Sequence, residues 1–213
     1  MPALHIEPHA MAGIESARVT AAESLGGRLF MKSTDLLRDD HKHMVAALDV
    51  LTQMVARAGT NQSVNDSDVQ RILKFFEYFG DRHHQGKEES VLFPALLQDR
   101  TQKNYERLCS LVFEHNRQRS LIEGLGESLL SKNTKDFSYY ATRLSSILRE
   151  HIREEEEVVF PLVESTFTAA EDDRVALEMQ HYDAAWQATE LTSQLQVLAE
   201  MKSKYLSNRA KTA

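Results

Sequence analysis

Cysteine occurs once in the 213 residues, as Cys109. A single thiol excludes an internal disulfide, a thiolate zinc cage and an iron–sulfur cluster held by this chain alone, so any metal must be bound through nitrogen and oxygen. Proline (4) and glycine (8) are scarce, which disfavours sheets and favours long helices; the expected fold class is all-α. No apolar run approaches the roughly 20 residues needed to cross a bilayer, and the N-terminus lacks the basic start and apolar stretch of a signal peptide. The expectation is a cytoplasmic protein. Positive charge is also in deficit, with a formal net charge of −7 at pH 7, so the chain offers no electrostatic footprint for nucleic acid or an anionic membrane.

What remains is a composition with enough apolar residues, 42%, to bury one sizeable core. Residues 1–30, which include His5 and His9, show no sustained period and are expected to form a flexible arm. Leu37, His41, Met44, Leu48, Leu51 and Val55 then repeat at spacings of four and three, the signature of a first helix. Gly59 to Ser67 is turn chemistry, with Asp66 or Ser67 expected to cap a second helix running to about Leu97. In that helix Ile72, Leu73, Phe76, Phe79, Val91 and Leu92 are apolar positions, and Pro94 predicts a kink. The run Phe75, Phe76, Tyr78, Phe79 reads as core packing with one exposed edge. A third helix carries Tyr105, Leu108, Leu111, Val112, Ile122, Leu125 and Leu129, with Cys109 expected as a small buried hydrophobe. After a turn at Ser131 to Asp136, a fourth takes Tyr140, Leu144, Ile147, Leu148, Val158 and Leu162 inward. A fifth, from about Ala170, bears Leu177, Leu191, Leu195 and Leu198.

Two stretches carry the same chemistry at the same spacing. His84-Gln-Gly-Lys-Glu88-Glu89 runs on to Phe93-Pro94, and His151-Ile-Arg-Glu-Glu155-Glu156 runs on to Phe160-Pro161. On a helix, residues four apart stand one above the other, so each stretch aims an imidazole and a carboxylate at one point, a metal-ligand spacing. The repetition points to internal duplication and to facing halves of one site.

Short loops between long helices force antiparallel neighbours, so height in a bundle follows from distance to the turn. The midpoint of His41 and His84 falls at residue 62 or 63, that of His84 and His115 at 99 or 100, and that of His115 and His151 at 133, each within an expected turn. All four histidines are therefore expected at one level, about 25 to 30 Å along the helices from their turns. Burying four imidazoles and two carboxylates unpaired would cost several kcal/mol for each ionised group. A metal removes that penalty, and two Glu residues can bridge two ions.

This pattern of H, HxxxE, H, HxxxE with Phe-Pro after each HxxxE resembles the hemerythrin-like HHE cation-binding family over about residues 34 to 166. The resemblance implies an antiparallel up-down four-helix bundle, here with an additional C-terminal helix, holding a non-haem di-iron centre. It implies His41, His84, His115 and His151 as terminal ligands and Glu88 and Glu155 as bridges between two iron ions, with zinc or another divalent metal as the alternative. The respiratory branch adds a further histidine where Arg119 stands here, and bridges with an Asp in HxxxxD spacing. The four-His, two-Glu set is closer to the bacterial branch that includes proteins repairing iron centres, whose N-terminal cysteine-bearing domain has no counterpart in this sequence. On this reading residues 31–168 are the metal-binding domain and 169–213 a C-terminal helical extension.

Neighbouring groups admit other assignments. His83 adjoins His84, but its partner four residues on is Lys87, a cation. Glu89 and Glu156 turn about 100° from the bridging positions, which suits a solvated or ligand-supporting role, with HxxxxE pairing through Glu156 as the rival. His43 reads as a surface residue and His181 as a packed or capping one. Arg119 is expected to snorkel outward or to pair with a surplus carboxylate, and Glu114 is read as a solvated group with hydrogen bonding near the metal as the alternative. Six protein ligands over two irons leave coordination incomplete. The function that follows is binding or sensing of a small diatomic molecule, oxygen or nitric oxide, in oxidative or nitrosative stress. The alternatives are turnover of peroxide or nitric oxide, iron donation in iron–sulfur cluster repair, and an interaction module with a structural metal; self-association through the last helix is also open.

Overall fold

The computed structural model of the protein describes residues 32–60, 64–99, 102–185 and 188–207. The expected arm, with His5 and His9, lies outside the described residues. The helices in chain order are α1 (Ser33–Gly59) and α2 (Asp66–Phe75), the latter continued by the π-helical stretches Phe76–Gln85 and Glu88–Leu92. Then come α3 (Phe93–Leu96), a 3-10 turn (Leu97–Asp99), α4 (Gln102–Leu130) and α5 (Thr134–Glu154). A π-helical turn (Glu155–Val159) joins α5 to α6 (Phe160–Thr166), which is followed by α7 (Ala169–Ala185) and α8 (Ala188–Leu206). No strand occurs among the described residues, and none of their helices is long and apolar enough to cross a membrane.

The helix ends follow local chemistry. Asn65, not the expected Asp66 or Ser67, caps α2, its side-chain oxygen accepting from the Ser67 amide at 2.8 Å. Asn133 caps α5 in the same way through Lys135 and Asp136. Between α4 and α5, Lys132 takes φ 52° and the Asn133 amide reaches back to the Ser128 carbonyl. That is the left-handed helix stop usually given to glycine.

Four long helical arms, α1, α2 with its π-helical continuation, α4, and α5 with its continuation, form the expected antiparallel bundle. Its apolar interior is in two parts. One lies toward the α1–α2 and α4–α5 turns and includes Met44, Leu48, Phe76, Phe79, Leu125, Leu144 and Leu148. The other lies at the opposite end and includes Leu37, Leu92, Phe93, Leu111, Val159 and Phe160. Phe75, Phe76 and Phe79 are buried while Tyr78 is half-exposed, the core-plus-edge arrangement expected from the sequence.

The single fifth helix is two helices, and its leucines divide accordingly. Leu177 on α7 is exposed, whereas Val175 and Met179 enter the second core part and Leu198, Met201 and Tyr205 of α8 enter the first. Cys109 is exposed rather than buried. Its neighbour Leu108 takes the inward position, and the next residue on a helix turns away by about 100°. Tyr105, four residues earlier on the same face, is exposed with it, as is Val158.

Candidate metal centre

The two parts of the core are separated by a polar layer. His41 lies between Leu37 and Met44, His115 between Leu111 and Leu121, and His151 with Glu155 between Leu148 and Val159. Each set of neighbours belongs to the opposite core parts. All six residues singled out from the sequence are buried there, with Glu88 and Glu155 at 0% exposure. Two overlapping groups could each hold a cation: His41, His84, Glu88 and Glu155, and Glu88, His115, His151 and Glu155.

The Phe-Pro text after each HxxxE explains the local backbone. A proline inside a helix has no N–H and its ring crowds the carbonyl four residues back. The ladder ahead of Pro94 and Pro161 is therefore widened. The Phe93 amide bonds to the Glu88 carbonyl and the Phe160 amide to the Glu155 carbonyl, each five residues back. The kink expected at Pro94 is thus a π-helical turn, and Glu88 and Glu155 each open one. Such turns recur at functional sites. The same phenylalanines close the layer from the side away from the turns, Phe160 stacked on His41 at 5.4 Å and Phe93 on His115 at 6.1 Å between ring centres.

Within the layer the imidazoles meet in pairs. His41 Nε2 is 3.2 Å from His84 Nε2, and His115 Nε2 is 3.1 Å from His151 Nε2. Glu88 spans the pairs, with Oε1 3.6 Å from His84 and Oε2 3.5 Å from His115. Glu155 spans them in the opposite sense, with Oε1 3.0 Å from His151 and Oε2 3.1 Å from His41. These are close N···O approaches without hydrogen-bond geometry, and all four carboxylate oxygens lack a hydrogen-bond partner.

The outer ring nitrogens fix the tautomers. His41 Nδ1 faces Glu156 at 2.9 Å, His115 Nδ1 faces Glu89 at 2.7 Å, His151 Nδ1 faces Glu114 at 2.8 Å and His84 Nδ1 faces Asp40 at 3.3 Å. A nitrogen that donates outward leaves its ring partner with a lone pair pointing inward. Two inward lone pairs about 3 Å apart repel unless a cation, proton or metal, lies between them. With four orphaned carboxylate oxygens beside them, the donors fit a pair of metal ions.

Electrostatics agree with that assignment. Burial together with the neighbouring Glu155 carboxylate pushes the Glu88 carboxyl well above its usual range. Burial acts on Glu155 in the same direction, but His151 and His41 outweigh it and hold that carboxyl well below. His84 is pushed down to about 4, chiefly by burial. For His151 burial also opposes charge, yet Glu155, Glu114 and Glu88 raise it to about 10. These shifts describe the layer without a metal, and a metal entering it competes with protons for the same donor atoms.

The neighbouring residues sort themselves around this layer. Glu89 and Glu156 support histidines rather than lying in either cation group, and Glu114, read mainly as solvated, does the same. Arg119 pairs with surplus carboxylates, its Nε to Asp81 at 2.7 Å and Nη2 to Glu89 at 2.8 Å. His83 is buried but outside both groups, its Nδ1 3.2 Å from Asp183 of α7. His43 is half-buried with its ring edge-on to Phe79, and His181, expected to be packed, is exposed. Its helix instead contributes Asp183, two residues on.

Asp40 and Lys87 were not singled out from the sequence. Lys87 is 2% exposed, with Nζ 2.6 Å from Asp40 and 3.2 Å from His83 Nε2. Burial would raise the Asp40 carboxyl, but bonds from His83 and His84 and the Lys87 ammonium hold it well below the usual range. The duplication carried the signal for Asp40. An acid precedes the first histidine of each half, Asp40-His41 and Glu114-His115, and each serves the histidine of the next helical arm.

Fold and layer together define a four-helix-bundle protein whose interior can bind metal through histidine and glutamate. Residues 32–163 match the family described as the hemerythrin HHE cation binding domain, and the chain belongs to that family. Neither a curated protein nor a solved structure gives a match.

Proposed function

We propose that His41, His84, His115 and His151 hold two iron ions bridged by Glu88 and Glu155, and that the protein binds or senses oxygen or nitric oxide. The observation that carries this reading is the pairing of the inward ring nitrogens, each pair spanned by one oxygen of Glu88 and one of Glu155. When bound, an iron pair supplies one-electron redox change and open coordination positions, since six protein ligands do not complete two coordination shells. The chain's own groups do the rest. Glu156, Asp40, Glu89 and Glu114 hold the imidazoles in the tautomer that points a lone pair inward, and Phe93 and Phe160 cover the layer on one side. Residues 31–168 carry this chemistry, and 169–213 brace it through α7 and α8. A stress-response role follows from the ligand class.

Anaerobically reduced, iron-loaded protein exposed to oxygen or nitric oxide should develop a charge-transfer absorption. An unchanged spectrum from a fully loaded sample rejects the reading. The near-complete burial of the six residues favours a second reading, a structural metal closed to solvent. In that case added azide gives no new band and does not alter the rate of metal loss.

A further inference from the structure

One buried polar pair has no part in the metal centre as described. Gln85 and Gln118 are 3% and 2% exposed, and Gln85 Nε2 donates to Gln118 Oε1 at 2.6 Å. Gln85 Oε1 and Gln118 Nε2 have no partner. If both amides were turned over, the free groups would exchange owners, but one amide N–H and one carbonyl would still be uncommitted.

Both side chains line a small internal cavity with Met44, Gly80 and Leu148, and Asp81 and Arg119 lie at its edge. Its position follows from helix register. Met44 and Gln118 lie three residues beyond His41 and His115, and Leu148 lies three residues before His151 on the antiparallel neighbour. All three steps run toward the α1–α2 and α4–α5 turns, about 4.5 Å along the helices. The cavity therefore adjoins the histidine layer on the face opposite Phe93 and Phe160. Gln85 directly follows His84, and three successive residues, His83, His84 and Gln85, are buried. That is the effect of the wide π-helical stretch Phe76–Gln85, because a regular helix would turn one of them outward. Space in the cavity suffices for about one water-sized molecule. Arg119 and Asp81, which also line it, are ion-paired at 2.7 Å.

We infer that Gln85 and Gln118 form the hydrogen-bonding pocket for the exogenous ligand, the free amide N–H donating to the one atom of a small ligand that the cavity holds beside the metal layer. This inference rests on the proposed function. The pocket selects for a ligand with an acceptor atom, as in nitric oxide or dioxygen.

The test uses nitric oxide on reduced, iron-loaded full-length protein, with iron per chain measured before the gas is added. In the wild type the N–O stretching band should shift on exchange into deuterium oxide. In Gln85→Leu/Gln118→Leu, which replaces both partners with apolar groups of similar size, the solvent shift should vanish. Nitric oxide should also leave about three to ten times faster, the equivalent of one hydrogen bond. Two irons per chain and normal nitric oxide binding, with no deuterium shift in the wild type or an unchanged release rate in the double variant, would overturn the pocket and leave the proposed function standing. A wild type that takes up no iron pair or no nitric oxide would overturn both. The deuterium shift of the wild type decides the matter even if the double variant fails to fold.

Discussion

Removing the Lys87 ammonium should be among the most damaging single changes outside the histidine layer. Lys87 is nearly fully buried and lies within 2.6 Å of Asp40, whose carboxylate also faces His83 and His84. Lys87→Met keeps most of the side chain's packing and deletes only the charge, so the effect isolates the electrostatics. An uncompensated charge in place of a buried pair costs about 3–5 kcal/mol. At about 2–4 °C per kcal/mol for a chain of this size, the melting temperature of metal-free protein should fall by about 6–20 °C. Adding Asp40→Asn should recover much of the loss, because the stranded charge is then gone. Lys42→Met is the control. Lys42 pairs with Asp39 at 3.0 Å but both are largely exposed, so its loss should cost under about 1 kcal/mol. Calorimetry with a chelator present is the assay. A Lys87→Met protein melting within about 2 °C of its parent, or a double variant no better than the single one, would refute the account of this network.

Metal binding to metal-free protein should release protons, since protons compete for the same donors and burial and neighbouring carboxylates shift Glu88 and His151 toward holding theirs; calorimetric titrations in buffers of different ionisation enthalpy should show it, with affinity rising as pH rises. Asp68, buried at the start of α2, accepts from Lys204 and from Tyr205 at 2.6 Å. These bonds outweigh burial and hold its carboxyl low. A folded-state value below the unfolded one of about 3.9 means its stabilisation is present above that pH and lost as pH falls through the depressed value. The stability gap between wild type and Asp68→Asn should therefore close in denaturant titrations run at progressively lower pH. Gly86→Ala would drive a methyl group into the Tyr182 hydroxyl, which donates to the Arg82 carbonyl at 2.8 Å. Amide exchange in α7 should quicken in that variant, and a protection pattern like wild type would contradict the contact.

Much of the centre was legible because it depends on two periodicities that sequence preserves. Turn positions set the height of His41, His84, His115 and His151, and the four-residue spacing set the facing of Glu88 and Glu155. What was not legible depends on departures from the regular helix or on long-range partners. The π-helical turns Glu88–Leu92 and Glu155–Val159 arise from Pro94 and Pro161 acting on the ladder upstream, and a separate π-helical stretch, Phe76–Gln85, places Gln85 inside when a 100° step predicts otherwise. Cys109 and Leu108 are adjacent and both apolar, so the stripe alone did not decide which enters the core. Asp183 reaches His83 only because α7 folds back across the bundle, a fact that no local pattern encodes. Asp40 was legible in principle, through its repeat partner Glu114, but an acid beside a histidine is a weak signal until the duplication is aligned.

The most direct measurement is a crystal structure of iron-loaded protein with anomalous data on both sides of the iron edge. Two iron peaks are predicted, one beside His41 and His84 and one beside His115 and His151, with Glu88 and Glu155 each reaching both. A single peak, peaks outside the histidine layer, or either glutamate turned away from the ions would contradict the bridged two-metal centre.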